Sequence, residues 1–374
     1  MAIHIEELKI DHFRGIHYLT IENLNHINII AGDNNSGKTS VLEALLLLRS
    51  PNDINNILRL ARMRDANAFF GGPSVYESFI NLFPKDTPKM EIAIGAIYKR
   101  EYLTCNLFGK QIKIMLDPEE VINRLYPALK RNYMMHKLSS DMAEVDAFIG
   151  ELVYEIAGHR DRIEVKIDAY ASTSGREIKR NNYVNIVYLS PTEHVSGNVF
   201  NRILRNDSYK EICLRILQMF DPGIIDLLIL RNEFNDRPVE YIKHVALGNM
   251  PLSTYGDGIK KVLSLANGIA QAAGGVLLID EIETAIHSKY YDDIFRFLVK
   301  ASIQFEVQVF ITTHSIEAID GLLCTQDYDQ QNHIDDISVL TFKKDSNEPK
   351  TYSRVLPGRH VFKNREQFGF EVRL

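Results

Sequence analysis

The segment AGDNNSGKTS, residues 31–40, decides the fold of this chain. It contains the pattern G-x-x-x-x-G-K-[ST], in which Gly32 and Gly37 let backbone N–H groups surround phosphate oxygens. An apolar run at residues 27–31 precedes the segment, and the helix-forming run SVLEALLLLR follows it up to Pro51. Strand, glycine-rich loop and helix in this order predict a phosphate-binding loop, and the alternative is an ordinary glycine-rich turn. Lys38 is expected to reach the β and γ phosphates of a nucleotide and the Thr39 hydroxyl to ligate Mg²⁺.

A second element, GGVLLIDEIE at residues 274–283, is an apolar strand that ends in consecutive carboxylates. Asp280 at the strand end would hold Mg²⁺, directly or through water. Glu281 follows at a position from which it would orient a water molecule against the γ-phosphate. The competing interpretation is a buried strand that meets a solvated acidic turn.

Two further elements complete the pattern. The strand VQVFITTHS, residues 307–315, ends in His314, a neutral donor at a strand end, where ligands collect in open α/β sheets. The polar segment STYGDG, residues 253–258, precedes a helical run and would place Ser253 and backbone N–H groups at a helix start. Taken singly, His314 is more often a structural histidine and the second segment more often an ordinary helix cap.

Composition excludes several classes of protein. The 374 residues are 45% hydrophobic and 25% charged, as in a globular protein, and the net charge of −6 restricts any nucleic-acid contact to a local basic patch. The cysteines Cys105, Cys213 and Cys324 lie far apart, so we expect reduced thiols and neither a disulfide framework nor a zinc site. No run approaches a membrane span, and the acidic N-terminus does not resemble a signal peptide, so we expect a cytoplasmic protein without membrane contact.

The remaining pattern predicts an α/β fold with a mixed sheet. Alternation predicts two strands before residue 27 and more strands over residues 89–116. From Asp117 to about His159 the apolar spacing is helical and predicts a helical hairpin. We therefore divide the chain into a discontinuous head, residues 1–116 and 181–374, and an insertion at residues 117–180 with helices and a connecting strand.

The order of these motifs resembles the ABC-type ATPase heads of the SMC/RecF superclass. It is most similar to the ATPases of the OLD (overcoming lysogenization defect) family and to antiphage-defence ATPases such as those of Gabija, Septu and PARIS. The resemblance rests on FRGI at residues 13–16, GDNNSGKTSVLEAL at 32–45, YGDG at 255–258, LLIDEIETAIH at 277–287 and ITTHS at 311–315. It covers most of the chain except residues 117–180.

The resemblance implies a head that hydrolyses ATP when two copies enclose two nucleotides. Lys38 and Thr39 then belong to Walker A, Asp280 and Glu281 to Walker B, and His314 is the switch histidine. The signature motif Ser253, Gly256 and Asp257 would contact the γ-phosphate of the other copy. Further implied nucleotide contacts come from Arg14 and from the loop residues Gly32, Asn34, Asn35, Ser36, Gly37 and Ser40. His287 would lie at the dimer seam, and the role of Glu283 is left open.

Two departures qualify the resemblance. The only glutamine near the expected Q-loop is Gln111, in a strand-like stretch. The chain ends at NREQFGFEVRL, close to where OLD-type proteins pass into a TOPRIM nuclease domain, so the expected effector is a separate protein, such as a TOPRIM or HNH nuclease. ATP and Mg²⁺ are the implied cofactors, and a second copy of the chain is the implied partner.

The alternatives are a RecF-like repair ATPase that clamps DNA on ATP binding and a scaffold that binds ATP without hydrolysing it. Basic clusters, with tyrosines that would stack on bases, are the basis of a DNA-binding hypothesis. The alternative is a solvated helix face, which has the same composition. These residues are Arg59, Arg62, Arg64, Tyr126, Lys130, Arg131, Tyr133, Lys137, Arg176, Lys179 and Arg180.

Overall fold

The computed structural model describes residues 2–32, 36–64, 73–116, 143–169, 172–174, 182–196, 199–200, 202–231, 236–328, 335–344 and 351–368. Among them no helix is long and apolar enough to cross a membrane. The described strands are β1 (Ile5–Asp11), β2 (Leu19–Ile21), β3 (Ile27–Ala31), β4 (Met90–Tyr98), β5 (Glu101–Leu116), β6 (Ala143–Ile156), β7 (His159–Asp168), β8 (Ser172–Ser174), β9 (Ile186–Leu189), β10 (Ile224–Arg231), β11 (Pro238–His244), β12 (Gly248–Pro251), β13 (Val276–Ile279), β14 (Gln308–Thr313), β15 (Ile337–Lys344) and β16 (Thr351–Pro357).

The described helices are α1 (Lys38–Leu47), α2 (Ile54–Met63), α3 (Val75–Ile80), α4 (Glu193–Ser196), α5 (Asp207–Phe220), α6 (Asp257–Gln271), α7 (Tyr291–Gln304), α8 (Ile316–Leu323) and α9 (Gly358–Phe368). Local signals start several of them. Ser74 and Glu77 form a reciprocal capping box at α3, and the side chains of Asp53, Asn206 and Ser315 cap α2, α5 and α8.

A six-stranded sheet in the order β16-β15-β3-β14-β13-β9 forms the centre of the fold. Five of its strands are parallel and β16 is antiparallel. Its central strands β3, β14 and β13 are buried along their whole length because both faces are covered: Ile29 contributes to one core and Ile30 to the other. The predicted α/β class with a mixed sheet is therefore confirmed.

The first core contains α5, α6, α7 and α8 on one face of this sheet. The second core lies on the other face and contains α1, α2 and α3 together with a seven-stranded antiparallel sheet in the order β2-β1-β4-β5-β6-β7-β8. A small antiparallel sheet, β10-β11-β12, leads into the segment before α6.

The predicted helical hairpin is wrong for the described residues 143–159. They form β6 and the start of β7, and β6 pairs with β5 over fourteen positions, from Leu116↔Ala143 to Leu103↔Ile156. The strand expected to follow the hairpin is present as β7. The apolar spacing at Val145, Phe148 and Leu152 fits a helix, but pairing with β5 decides the conformation. These strands continue the sheet that begins in residues 1–116. Residues 117–142 of the predicted insertion lie outside the described residues.

Close strand contact requires glycine at one cross-strand pair of this sheet. Gly109 of β5 lies opposite Gly150 of β6. A Cβ atom on Gly109 would lie 2.4 Å from the Ile149 carbonyl oxygen and 2.5 Å from Cζ of Phe148, and one on Gly150 would lie 2.2 Å from the Phe108 carbonyl oxygen. The glycine pair therefore makes room for the buried ring of Phe148.

Candidate functional site: a phosphate loop beside three strand ends

The sheet order brings three chemically important strand ends to one edge. Strand β14 lies between β3 and β13, with Ala31 opposite Thr313 and Ile279 opposite Ile311. Because these strands are parallel, the segments that follow them emerge side by side. These segments are the glycine-rich loop after β3, the carboxylates after β13 and His314 after β14.

Helix α1 starts directly from the glycine-rich loop. Its N-cap, Gly37, has φ 100°, a left-handed conformation that favours glycine. The first residue of the helix, Lys38, is 5% exposed, and its Nζ donates to the carbonyl oxygen of Gly32 at 2.8 Å. The lysine side chain therefore folds back over the loop, beside the N-terminus of α1, where backbone N–H groups favour an anion.

Hydroxyl groups from three elements hold the buried carboxylate of Asp280. Thr312 and Thr39 donate to Oδ1 at 2.6 Å and 3.2 Å, and the Tyr188 hydroxyl donates to Oδ2 at 3.0 Å. Burial, the charge of Asp280 and the hydrogen bond to it raise the pKa of Tyr188 well above its ordinary value, so this phenol stays a donor. These contacts fix the carboxylate at the base of the loop.

Glu281 adopts an unusual backbone conformation at the strand end. Its φ is 48°, which is left-handed and uncommon for a residue other than glycine, and its N–H donates to Oγ1 of Thr312 at 2.8 Å. The carboxylate is 44% exposed, and Oε1 lies 3.9 Å from Nε2 of His314. The turn therefore buries Asp280 and directs the next side chain towards the opening.

A cleft of about 270 Å³ joins these groups. The structure brings six of the sequence-predicted site residues together in its lining, namely Gly37, Lys38, Thr39, Ser40, Glu281 and His314. Gly32 and Asp280 contact Lys38 and Thr39 of this lining. Ser36 lies in the loop with a buried hydroxyl, while Asn34 and Asn35 lie outside the described residues.

The predicted signature residues are placed elsewhere. Ser253, Gly256 and Asp257 are exposed at the start of α6, where Gly256 is the N-cap, and they are not among the described residues that line the cleft. His287 is also exposed; its ring accepts from the N–H of Lys289.

Two other predicted residues have structural partners. Arg14, predicted to contact the nucleotide, binds the fully buried carboxylate of Glu43, with Nε 2.6 Å from Oε2, and does not line the cleft within the described part of the chain. Gln111 lies in β5, as the strand-like sequence predicted, and donates to the Tyr76 hydroxyl at 3.0 Å.

Glu283, whose role the sequence left open, supports the histidine loop. Its Oε1 accepts from the backbone N–H of His314 at 2.7 Å. The bond connects the segment after β13 to the segment after β14, so the position of His314 depends on the Walker B turn.

Sequence reasoning missed Arg64 as a residue of this cleft and placed it in a basic cluster, with DNA contact and a solvated surface as the two alternatives. Arg64 lines the cleft, donates to both carboxylate oxygens of Glu43 at 2.7 Å and donates to Oγ of Ser40 at 3.3 Å. Burial alone would lower its pKa, but the hydrogen bond and charge of Glu43 and the charge of Asp280 raise it. No local signal marks this role, because Arg64 reaches the cleft only when α2 packs on α1.

The oxygen donors at the loop fit Mg²⁺. Thr39 Oγ1 and Asp280 Oδ1 are adjacent, and hydroxyl and carboxylate oxygens are the ligands this ion prefers. Within the described ranges there is no cluster of three or more His, Cys, Asp or Glu residues that would hold a metal. A site with few protein ligands suits Mg²⁺, which takes its other ligands from water and phosphate oxygens.

Two family models match parts of the chain. The model described as "AAA ATPase domain" matches residues 3–106. The model described as "AAA domain, putative AbiEii toxin, Type IV TA system" matches residues 153–320. The first match contains the phosphate loop and the second contains the signature segment, the Walker B strand and His314.

Individual proteins show the same similarity. An ATP/GTP phosphatase of Helicobacter pylori is 24% identical over 354 residues, which is 88% of this chain and 91% of the relative. A DNA replication and repair protein RecF of Geobacter sulfurreducens is 29% identical over 168 residues, 42% of each protein. An Smc head domain with an extended coiled coil from Pyrococcus furiosus, solved with the C-terminal domain of ScpA, has a TM-score of 0.50 at 13% identity. That comparison covers 98% of this chain and 100% of the Smc chain, and it concerns the fold alone.

The strand order, the phosphate loop and these similarities agree on one class. Together they support an ATPase of the SMC/RecF-like ABC type.

Proposed function

We propose that this chain binds ATP with Mg²⁺ and hydrolyses it in a site that a second copy of the chain completes. The observation that carries the proposal is the single cleft in which Lys38, Thr39, Glu281 and His314 meet, while the signature segment at Ser253 lies exposed outside it. A dimer in which each signature segment covers the partner's cleft supplies both halves of the site.

Each side chain of the cleft has a separate role in the proposed hydrolysis. Lys38 binds the β and γ phosphates, and Glu281 orients the attacking water by accepting a hydrogen bond from it. His314 donates to the γ-phosphate, and Arg64 adds a second fixed positive charge to the cleft wall. Thr39 and Asp280 would hold Mg²⁺, which offsets the negative charge of the phosphates. Thr312 and Tyr188 keep Asp280 oriented for this task.

The decisive experiment is Glu281→Gln, which keeps the size of the side chain and removes the water acceptor. Because a preorganised contact of this kind contributes about 10²- to 10³-fold in rate, phosphate release should fall by that factor. ATP should still bind, so the variant should accumulate as an ATP-bound dimer, measured by light scattering. The matched control is Glu211→Gln on the exposed side of α5, which should behave as the wild-type chain does.

Each other outcome has a definite meaning. Unchanged turnover in Glu281→Gln would contradict the role of Glu281, and a chain that stays monomeric with ATP would contradict the shared site. Tight ATP binding without turnover in the wild-type chain would favour a scaffold that ATP only stabilises.

We further propose that the dimer is a sensor or scaffold subunit of a bacterial, cytoplasmic antiphage-defence complex whose effector, a nuclease, is a separate protein. The support is the motif resemblance to OLD-like ATPases and the matched family description, which names a toxin of a toxin–antitoxin system. Purification of the protein expressed from its native operon tests this. A co-purifying nuclease chain is the expected result, and the chain purifying without any partner would contradict it.

The RecF similarity favours a second candidate, a repair factor that clamps DNA when ATP binds. That function requires DNA affinity that depends on ATP, falls steeply with salt and needs no partner protein. Fluorescence anisotropy with a labelled duplex at two salt concentrations, with and without ATP, separates it from the defence role.

A further inference from the structure

A buried lysine of helix α6 has no hydrogen-bond partner among the described residues. Lys261 is 2% exposed, and its Nζ forms no hydrogen bond to any part of the chain that the structure describes. An ammonium group removed from water without a partner is costly, and packing alone would be served better by an apolar side chain of the same length. The position therefore calls for an explanation other than stability.

The surroundings of Lys261 are the acidic strand end of the nucleotide site. Burial lowers the pKa of Lys261 to about 8, while the charge of Glu283, and then those of Asp280, Glu281 and Glu193, act in the opposite direction. The charge of Lys261 also acts on His194, whose pKa is lowered by burial and then by that charge. The backbone geometry agrees, because a Cβ atom on Gly258, one turn before Lys261 on α6, would lie 3.5 Å from the carbonyl oxygen of Ala285, two residues after Glu283. The ammonium is therefore in the neighbourhood of the Walker B carboxylates, and its Nζ forms no hydrogen bond to them.

Glu283 has a carboxylate oxygen that could accept a hydrogen bond from an ammonium group. Its Oε1 accepts from the backbone N–H of His314, but its Oε2 is buried and forms no hydrogen bond within the described ranges. The buried Nζ of Lys261 and the buried Oε2 of Glu283 therefore lie in one neighbourhood, each without a hydrogen bond within the described residues. Each unmade bond costs free energy, so a state of the protein that joins them gains from both groups.

We propose that Lys261 is a positioning residue for ATP hydrolysis, which pairs with the vacant Oε2 of Glu283 when α6 engages the nucleotide of a second copy. Helix α6 begins at the exposed signature residues Gly256 and Asp257, so a contact made there displaces the same helix that carries Lys261. Glu283 in turn holds the backbone of His314. Closure of the dimer thus moves α6, and the ion pair between Lys261 and Glu283 passes that movement on to the backbone of His314. The inference rests on the proposed function, because it presupposes turnover in a dimer.

Lys261→Met tests the pair, because methionine fills the space and carries no charge. We expect kcat for ATP to fall about tenfold, KM for ATP to stay unchanged and the thermal unfolding temperature to stay equal or rise. Glu283→Gln keeps an acceptor for the His314 N–H and removes the charge, so its kcat should fall by a similar factor. The double variant should be no slower than either single variant, since both remove the same link.

Lys300→Met is the matched control, because this lysine is exposed on α7 and its loss should change neither turnover nor stability. Wild-type turnover that survives Lys261→Met would overturn the inference and leave the proposed function intact. If the losses of kcat in the two single variants multiply in the double variant, Lys261 and Glu283 act independently and the inference is wrong. A loss of kcat accompanied by a lower unfolding temperature would show that Lys261 has only a structural role. Absence of turnover in the wild-type chain would contradict the proposed function itself.

Discussion

At the scale of single residues, the site depends on charges whose partners are far away in sequence. Glu43 of α1 is the centre of one such group, because its buried carboxylate binds both Arg14 and Arg64. The pair of arginines offsets its charge, and Arg64 retains contact with Ser40 and with the cleft. A carboxylate inside the protein thus fixes a cation where a phosphate would bind.

Arg64→Met should weaken ATP binding about tenfold, because one charge-assisted contact contributes roughly 1.5 kcal/mol. Glu43 keeps Arg14 as its partner, so the protein should still fold. Isothermal titration with ATP under non-hydrolysing conditions measures the effect. Arg62→Met, an exposed arginine of the same helix, is the matched control and should bind ATP normally. Equal ATP affinity in the two variants, with DNA binding lost in both, would instead support a basic DNA surface.

At the scale of elements, strand pairing overrode the local apolar spacing in the middle of the chain. The segment that reads as a helix from Val145 to Leu152 forms β6, because β5 offers a long partner strand and the burial of Phe148 completes the core under α3. The Gly109 and Gly150 pair permits this close packing.

Gly150→Ala should lower the free energy of unfolding by about 2 kcal/mol, because the added methyl group overlaps backbone atoms of β5 and cannot be accommodated without moving the strands. Urea unfolding followed by circular dichroism measures the change. The control is Gly95→Ala in β4 of the same sheet, where the new Cβ would make an ordinary contact of 3.6 Å with Thr104. Equal effects at the two positions would contradict the role of the glycine pair.

At the scale of the whole molecule, buried polar side chains join the first strand to the central sheet. The amide of Gln308 accepts from the N–H groups of His4 and Ile5 and donates to the carbonyl oxygens of Ile5 and Asn25. His26 contacts the Ala2 carbonyl oxygen and the Ser302 hydroxyl, and His4 contacts the Glu306 carbonyl oxygen. These contacts fasten the two sheets together beside α7.

Acid should loosen this connection. Burial lowers the pKa of both His4 and His26 from the ordinary 6.5, so the folded protein holds them neutral. In the unfolded chain both histidines take up protons as the pH falls below about 6.5. The stability that the two neutral, buried histidines contribute is therefore complete above that pH and is lost progressively below it. The free energy of unfolding should fall by up to about 1.4 kcal/mol per pH unit for each histidine.

Urea titrations between pH 5.5 and 7.5 measure this slope. His26→Gln should reduce it by about half, whereas His159→Gln, at an exposed position in β7, should leave it unchanged. An identical slope in the wild-type chain and His26→Gln would contradict the assignment.

The sequence by itself determined the elements whose signals are local. A phosphate loop needs two glycines, a lysine and a threonine at fixed spacing between a strand and a helix, and residues 27–47 carry all of this within one short segment. The strands before Asp280 and His314 could also be predicted, because parallel strands covered on both faces carry short runs of apolar residues, here VLLI and VFI.

Only the tertiary structure decided what depends on contacts between distant segments. The strand conformation of β6, the position of Arg64 in the cleft and the burial of Lys261 each arise from contacts between segments that are distant in sequence. An arginine or lysine on a helix has the same local pattern whether it faces solvent or a carboxylate. Its surroundings are set by which element packs against it, and that information is not contained in local periodicity.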